Sequence, residues 1–500
     1  MDELQFDIQI AADGKLLVDC ADFTIPRNRV TFLFGESGIG KSLISRAVYG
    51  LLDPSELTAA INGMPYSDYL RCREVREIRE HGFFVFQEPS SHLNPLMTLN
   101  DQMHEGSLSR SSPGQEALHR LWEGSAGSDL QEILSVYPKP YRPSGGEKQR
   151  ILLAMALEKI GMLPPAGAQG PETLFVFDEP SGSLDNRFRD IFLTQLFGSY
   201  RRRPFTGLVI THDYSMISRI ASEDPVLKEH VVFRELARED GRIVMRDFDP
   251  ARYTGWVREL ERGHGGVAHG ADHAPVLSVD HTLEVFGRRL TISPDRDGAR
   301  RTHLTLHAGT LLYLKAPSGT GKTTLVKRVM GLIGEGEIHA SIKDLRIDGK
   351  TPRSFWQHKI WGRKMTMVFQ HADEALNQQS TMRESFLGLP TRRPLTPDAI
   401  VALAGELFEE SEIRELLPKK VRFLSGGQKQ RLNLLRGLVL DTDILILDEP
   451  LNGLDFESCT RVVRILQQKM AAGMAILVIS HNEEIFDALA GHRICYLHAH

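Results

Sequence analysis

Two short stretches carry the residue types for phosphate chemistry: GESGIGKS at 35–42 and APSGTGKTT at 316–324. In the first, Gly35, Gly38 and Gly40 free the backbone to curl its N–H groups around phosphate oxygens. Lys41 can then reach the β- and γ-phosphates of a nucleotide, and the Ser42 hydroxyl can ligate Mg2+. In the second, Gly319, Gly321, Lys322, Thr323 and Thr324 keep the phosphate-facing part, while Ala316 stands where the first has a glycine. Alanine tolerates positive φ poorly, so the start of this loop is expected to differ, with nucleotide binding retained.

Such loops need carboxylates opposite them. LFVFDEP (174–180) and LILDEPL (445–451) each end an apolar run on an Asp-Glu pair. Asp178 and Asp448 would close a buried strand facing Mg2+, and Glu179 and Glu449 would polarise the attacking water. A buried carboxylate pair without a cation is costly, which speaks against a purely structural role. His212 in VITHD and His481 in VISHN close further apolar runs. A lone histidine there would be assigned to structure; its recurrence in register points to a γ-phosphate contact.

Elements of a definite kind must hold these residues. RVTFLFG, TLFVFDE and GLVITHD, then LLYLKAP, DILILDE and AILVISH, are short β-branched apolar runs suited to buried parallel strands. Helical segments alternate with them, and the phosphate loops lie between a strand and a helix whose N-terminus adds its positive end. The polar stretches 88–143 and 371–424 fit that alternation less well and are expected to form a mostly helical side domain.

The chain writes this arrangement twice. Lys41 and Lys322 have equivalent contexts, as do Gln87 and Gln370, Ser144 and Ser425, Asp178 and Asp448, and His212 and His481. The first half adds a Gly/Pro-rich surface loop around 161–172. GHGGVAHGADHAP (263–275) reads as a flexible linker with solvated histidines, giving domains at 1–262 and 276–500.

Bulk composition narrows the class. With 500 residues, two or more domains are expected, and 41% hydrophobic with 25% charged residues fits a globular protein. A net charge of −5 offers no general attraction to nucleic acid, and none is expected as a partner. The Arg201-Arg202-Arg203 run reads as a solvated helix end. Four scattered cysteines without a CxxC pair argue against disulfides, zinc or iron–sulfur and fit a reducing cytoplasm. No apolar stretch approaches the ~20 residues needed to span a bilayer, and the acidic start lacks a secretory apolar core.

PSGGEKQR (143–150) and LSGGQKQR (424–431) complete the set, and with both phosphate loops the chain resembles an ATP-binding cassette (ABC) ATPase with two cassettes in tandem. The resemblance implies an α/β fold: two P-loop NTPase domains, each a mainly parallel sheet core with an antiparallel β subdomain and a helical subdomain. It implies that each ATP is completed by the opposite signature, Ser425, Gly426 and Gly427 for one site and Ser144, Gly145 and Gly146 for the other. Asp185 and Asp455 match the family's interface loop. Gln87 and Gln370 match its lid glutamine, which touches Mg2+ and the attacking water. Residues beyond them line the groove that receives a helix from membrane subunits.

The wording FQEPSSHLNPLMT looks most like peptide and nickel importer cassettes, which implies permease partners at the inner face of the cell membrane and a solute-binding protein. Those cassettes usually carry a Pro-rich C-terminal extension, which neither half shows, and Pro143 replaces the usual leucine before the first signature. For the adenine, the resemblance offers Phe286 in the second half and only Phe6 in the first. A soluble role beside a metabolic enzyme complex, or in translation or repair, stays open, as does binding without turnover, although retention of Glu179 and Glu449 opposes the last.

Overall fold

The computed structural model describes residues 2–105, 113–122, 145–165, 170–180, 186–222, 228–239, 241–263, 274–285, 287–317, 319–334, 338–391 and 394–499. Pro143, Ser144, Asp185, Phe286 and linker residues 264–273 lie outside these ranges. The chain divides into two compact units, Met1–Ala251 and Arg252–His500. The division precedes the residue 262 expected from composition. The helix Pro250–Gly263 starts beside that division, and its Tyr253 and Trp256 meet Phe456 of the second unit.

In the first unit, strand Val30–Gly35 is buried throughout, as a continuous apolar run predicts for a sheet covered on both faces. It pairs in parallel with Gly207–Ile210 on one side and Val231–Glu239 on the other. Phe175–Asp178 follows beside Gly207–Ile210, and Phe83–Val85 closes that edge. The second unit repeats the order: Ile494–Ala499, Leu311–Lys315, Ala475–Ile479, Ile444–Asp448 and Met365–Val368, all parallel. Parallel pairing brings the carboxyl ends of these strands to one rim, where open α/β sheets bind ligands.

Around this core lies antiparallel sheet. Strand Glu3–Ala12 alternates exposed and buried residues, the period-two pattern of a strand with one solvated face. It pairs with Lys15–Pro26 and Thr58–Ile61, and all of these join one ten-stranded sheet with the parallel core. The second unit instead has a separate four-stranded sheet beside its seven-stranded one.

The side region is helical among the described residues: Leu99–Glu105 and Pro113–Trp122 in the first unit, Pro397–Ala404 and Glu410–Leu416 in the second. Pro397 sits at the first helical position behind Thr396, whose hydroxyl accepts from Ala399 N–H, a strong helix start. Arg201 and Arg202 are exposed at the end of helix Asn186–Arg202.

Candidate functional site

Each phosphate loop runs from the end of a buried strand straight into a helix, Lys41–Tyr49 or Lys322–Val329. Gly35, Gly38 and Gly40 have φ of 142°, 85° and 113°, and Gly319 and Gly321 have 78° and 105°. Both helices start behind a left-handed glycine with no side-chain cap, and the positive end of such a helix favours an anion. Gly35 has a second reason to be glycine: a Cβ there would lie 2.8 Å from the Leu236 carbonyl oxygen. Ala316 does not adopt positive φ, so the two loops begin differently, as expected.

The lysines point back into their loops. Lys41 Nζ donates to the Gly35 carbonyl at 2.6 Å and the Glu36 carbonyl at 3.0 Å. Lys322 Nζ donates to Ala316 at 2.5 Å and Pro317 at 3.3 Å. Both are buried, so their charges are held inside the loop curve.

Opposite stand the aspartates. Ser42 Oγ donates to Asp178 Oδ1 at 3.0 Å, and Thr323 is the corresponding hydrogen-bonding neighbour of Asp448. The second oxygen of each, Asp178 Oδ2 and Asp448 Oδ2, is buried with no hydrogen-bond partner among the described residues. Burial pushes both carboxyls up to about 6, against the pull of the Ser42 or Thr323 hydroxyl and of nearby lysines. An orphaned carboxylate oxygen beside a hydroxyl and a phosphate loop is what a bound divalent cation would satisfy. The residues present fit Mg2+.

The glutamates leave their strands sharply. Glu179 and Glu449 have φ of 47° and 48°, left-handed conformations that cost a non-glycine residue about 1–3 kcal/mol. Each N–H still extends the ladder, to Ile210 or Ile479, before the chain turns. Both side chains are buried beside a histidine. His212 Nδ1 lies 2.9 Å from Glu179 Oε1. Burial pulls this imidazole down, but the Glu179 charge and hydrogen bond outweigh it and leave it above its usual range. Glu449 Oε2 accepts from Ser480 Oγ and from His481 N–H, both at 3.0 Å, and His481 Nε2 stands 3.5 Å from Oε1.

Other expected residues are less closely joined. Gln87 and Gln370 follow the strands beside the aspartate strands, Gln87 exposed and Gln370 half-buried, and among the described residues neither bonds the carboxylates. Gly145 and Gly426 each begin a long helix, Gly145–Gly161 and Gly426–Leu438. Ser425 caps the latter in a reciprocal box: its Oγ accepts from Gln428 N–H at 3.1 Å, and its own N–H donates to Gln428 Oε1 at 3.0 Å. Gly427 is buried in that helix, and Gly146 half-buried in its counterpart. Asp455 caps helix Phe456–Ala471 by accepting from Ser458 N–H at 2.7 Å. Phe6 cannot stack on a base from where it sits, because it is buried in the first unit's core.

Sequence reasoning missed several partners. Arg46 lies over Phe86 at 5.5 Å, and Lys327 lies over Phe369 at 5.7 Å, so each unit sets a helix cation on the aromatic ring before Gln87 or Gln370. The repeated Phe-Gln pair was a signal for this contact. For Ser480 on Glu449 there was none, because Thr211 occupies the same place in the first half and bonds the Asp213 N–H instead.

The family model described as ABC transporter matches residues 18–161 and 299–452. A peptidoglycan transport ATP-binding protein, YejF of Agrobacterium fabrum, is 28% identical over 508 residues, covering 97% of this chain and 88% of that protein. The glutathione import ATP-binding protein GsiA of Escherichia coli is 27% identical, covering 95% and 81%. Among solved structures, an archaeal ribosome recycling factor in complex with a ribosomal stalk protein aligns with a TM-score of 0.58 at 18% identity, over 96% of this chain and 87% of that one. An RNase-L inhibitor aligns at 0.59 and 17%, over 98% and 89%. These two likenesses speak to the fold alone. With the phosphate loops, aspartates and glutamates of both units in matching places, the chain belongs to the ABC transporter family, as an ATPase with two cassettes in tandem.

Proposed function

We propose that this chain is the ATP-hydrolysing subunit of an importer of peptides or similar small solutes, acting at the inner face of the cell membrane on permease subunits. A solute-binding protein would deliver the cargo. The observation that carries the ATPase half of this reading is the twice-built pairing of an orphaned, buried aspartate oxygen with a phosphate-loop hydroxyl. The import half is supported by the relatives, named for peptidoglycan transport and glutathione import. No described helix is long and apolar enough to cross a membrane, so the path for solute would belong to other chains.

In each cassette, Lys41 or Lys322 would exchange its carbonyl partners for β/γ-phosphate oxygens, with the glycine N–H groups beside it. Ser42 with Asp178, and Thr323 with Asp448, would hold Mg2+, which supplies positive charge against the phosphates when bound. Gln87 and Gln370 would approach the same cation as the helical region moves. Glu179 and Glu449 would accept a proton from the attacking water, and His212 and His481 would steady the γ-phosphate. Ser425, Gly426 and Gly427, and likewise Ser144, Gly145 and Gly146, would complete a nucleotide bound by the other cassette, with Phe286 against an adenine.

The test is co-purification from detergent-solubilised membranes followed by reconstitution in vesicles. The reading expects multi-span proteins to accompany the chain and ATP to drive peptide uptake that stops in the E179Q/E449Q variant. Recovery only with ribosomes or a soluble enzyme complex would overturn the transport role and leave the ATPase intact.

A further inference from the structure

Helix Glu483–Ala490 begins just after His481, and three side chains from elsewhere in the second unit tie down its start. Lys315, at the end of the strand that feeds the phosphate loop, donates to Glu483 Oε2 at 3.1 Å and Asp487 Oδ2 at 2.7 Å. Tyr313, earlier on that strand, donates to the Ser480 carbonyl at 2.7 Å. The third is Tyr253, from helix Pro250–Gly263, whose hydroxyl donates to Glu484 Oε2 at 2.9 Å.

Tyr253 does more than reach Glu484. Its ring is fully buried and meets Phe456 edge-on at 6.2 Å, while Trp256 meets the same ring at 5.5 Å and Arg252 lies over it. Phe456 opens the helix capped by Asp455. One tyrosine therefore joins two elements of the second site, the helix behind Asp455 and the helix behind His481. The first unit is built differently here. The residue before its phosphate-loop glycine is Phe34, stacked on Tyr214 at 4.5 Å, and Tyr214 stands as far past His212 as Glu483 past His481. Tyr214 also donates its hydroxyl to Glu235 Oε1 at 2.7 Å, so the first unit ties this turn to its own sheet, whereas the second ties it to Tyr253 of another helix by a directed bond to a half-buried carboxylate, which is costly to leave unmade.

We propose that Tyr253 is a positioning residue for the second ATP site. Its hydroxyl on Glu484 and its ring on Phe456 fix the start of helix Glu483–Ala490, and through it the stance of His481 toward Glu449. The inference rests on the ATPase reading of that site.

The test uses the full chain and two readouts: steady-state ATPase in the E179Q background, and amide hydrogen exchange across 481–490. Y253F keeps the ring and removes the hydroxyl. It is expected to lower kcat about fivefold to tenfold with KM for ATP changed by less than about twofold, and to speed exchange in 481–490 by a similar factor. E484A should match it, E484Q should restore both readouts because an amide oxygen still accepts the bond, and Y253F/E484A should be no worse than either single change. Unchanged exchange in 481–490, faster exchange spread evenly over the second unit, or failure of E484Q to restore would each overturn the proposal. An E179Q chain without ATPase would count against turnover at the second site, and the exchange pattern would still decide on Tyr253.

Discussion

Glu179 and Glu449 leave their strands with nearly the same backbone angle, yet their carboxylates are held by different partners. In the first unit the ring of His212, 26% exposed, bonds the Glu179 carboxylate. In the second, a serine hydroxyl and a backbone N–H grip one oxygen, and His481, 43% exposed, stands farther off. The first arrangement makes the carboxylate's stance depend on the histidine's protonation and rotamer. The second makes it depend on main chain, leaving the histidine free to turn toward a phosphate. The two sites thus share the acid and differ in what orients it.

The largest expected effect tests whether this difference matters for turnover at all. E179Q and E449Q should each lower ATPase activity sharply, and the double variant should lose at least about a hundredfold, the usual contribution of a positioned general base. Full activity in either single variant would remove that site from hydrolysis and reduce the comparison to a contrast between a working site and a binding one. Equal, sharp losses would show that both grips serve the same chemistry.

Stability sharpens the comparison from the other direction, because the aspartates behave alike. Burial raises Asp178 and Asp448 to about 6 from an ordinary carboxylate value of 3.8. A carboxyl raised in the folded state contributes stability below its ordinary value and loses that contribution as pH rises through about 6. Stripped of metal and nucleotide, the chain therefore carries a penalty at pH 7.5 of at most about 3 kcal/mol per aspartate. D178N and D448N keep an acceptor for Ser42 or Thr323 and remove the charge. Each is expected to raise Tm by a few degrees at pH 7.5, with the gain falling to about half by pH 5, vanishing below about pH 4, and shrinking when Mg2+ is added to wild type. A gain that persists undiminished at about pH 4 would show that charge burial is not its source.

Much of this site was legible in the sequence because it is written in residue types that chemistry restricts. Apolar runs ending on acids and histidines predicted buried parallel strands, and the polar stretches 88–143 and 371–424 predicted the helical side region. What was not legible depends on which side chains face each other after folding. Phe6 sat on a plausible strand, but the alternation of Glu3–Ala12 turned it inward. Ser480 and Thr211 look interchangeable in sequence, yet only Ser480 reaches its glutamate. The helix from Pro250 reads as the end of the first cassette by position, and only its buried stripe of Tyr253, Val257 and Leu260 reveals where it packs.

The histidines offer the most direct way to break the contrast. Measured at single sites, H212A in the E449Q background should cost about tenfold more turnover than H481A costs in the E179Q background, because only the first change frees the glutamate as well as removing a phosphate contact. S480A should recover part of that difference by loosening Glu449. If H481A proves as damaging as H212A, the main-chain grip on Glu449 contributes little, and the histidine's own contact with nucleotide governs both sites.

The smallest effect concerns the start of the loops. Gly35 needs its glycine twice over, for a φ of 142° and for the 2.8 Å that separates a hypothetical Cβ from the Leu236 carbonyl. Ala316 needs neither, since its backbone stays out of the left-handed region. A316G should therefore lower stability by about 0.5 kcal/mol through the freer unfolded chain and leave ATP affinity at the second site unchanged. Tighter binding in A316G would mean that the alanine holds the loop away from its best phosphate geometry, and the two sites would then differ in the cradle itself as well as in how the glutamate is held. Unchanged binding places the whole difference on the glutamate side, where the hydroxyl of Ser480 and the ring of His212 do the same work by different bonds.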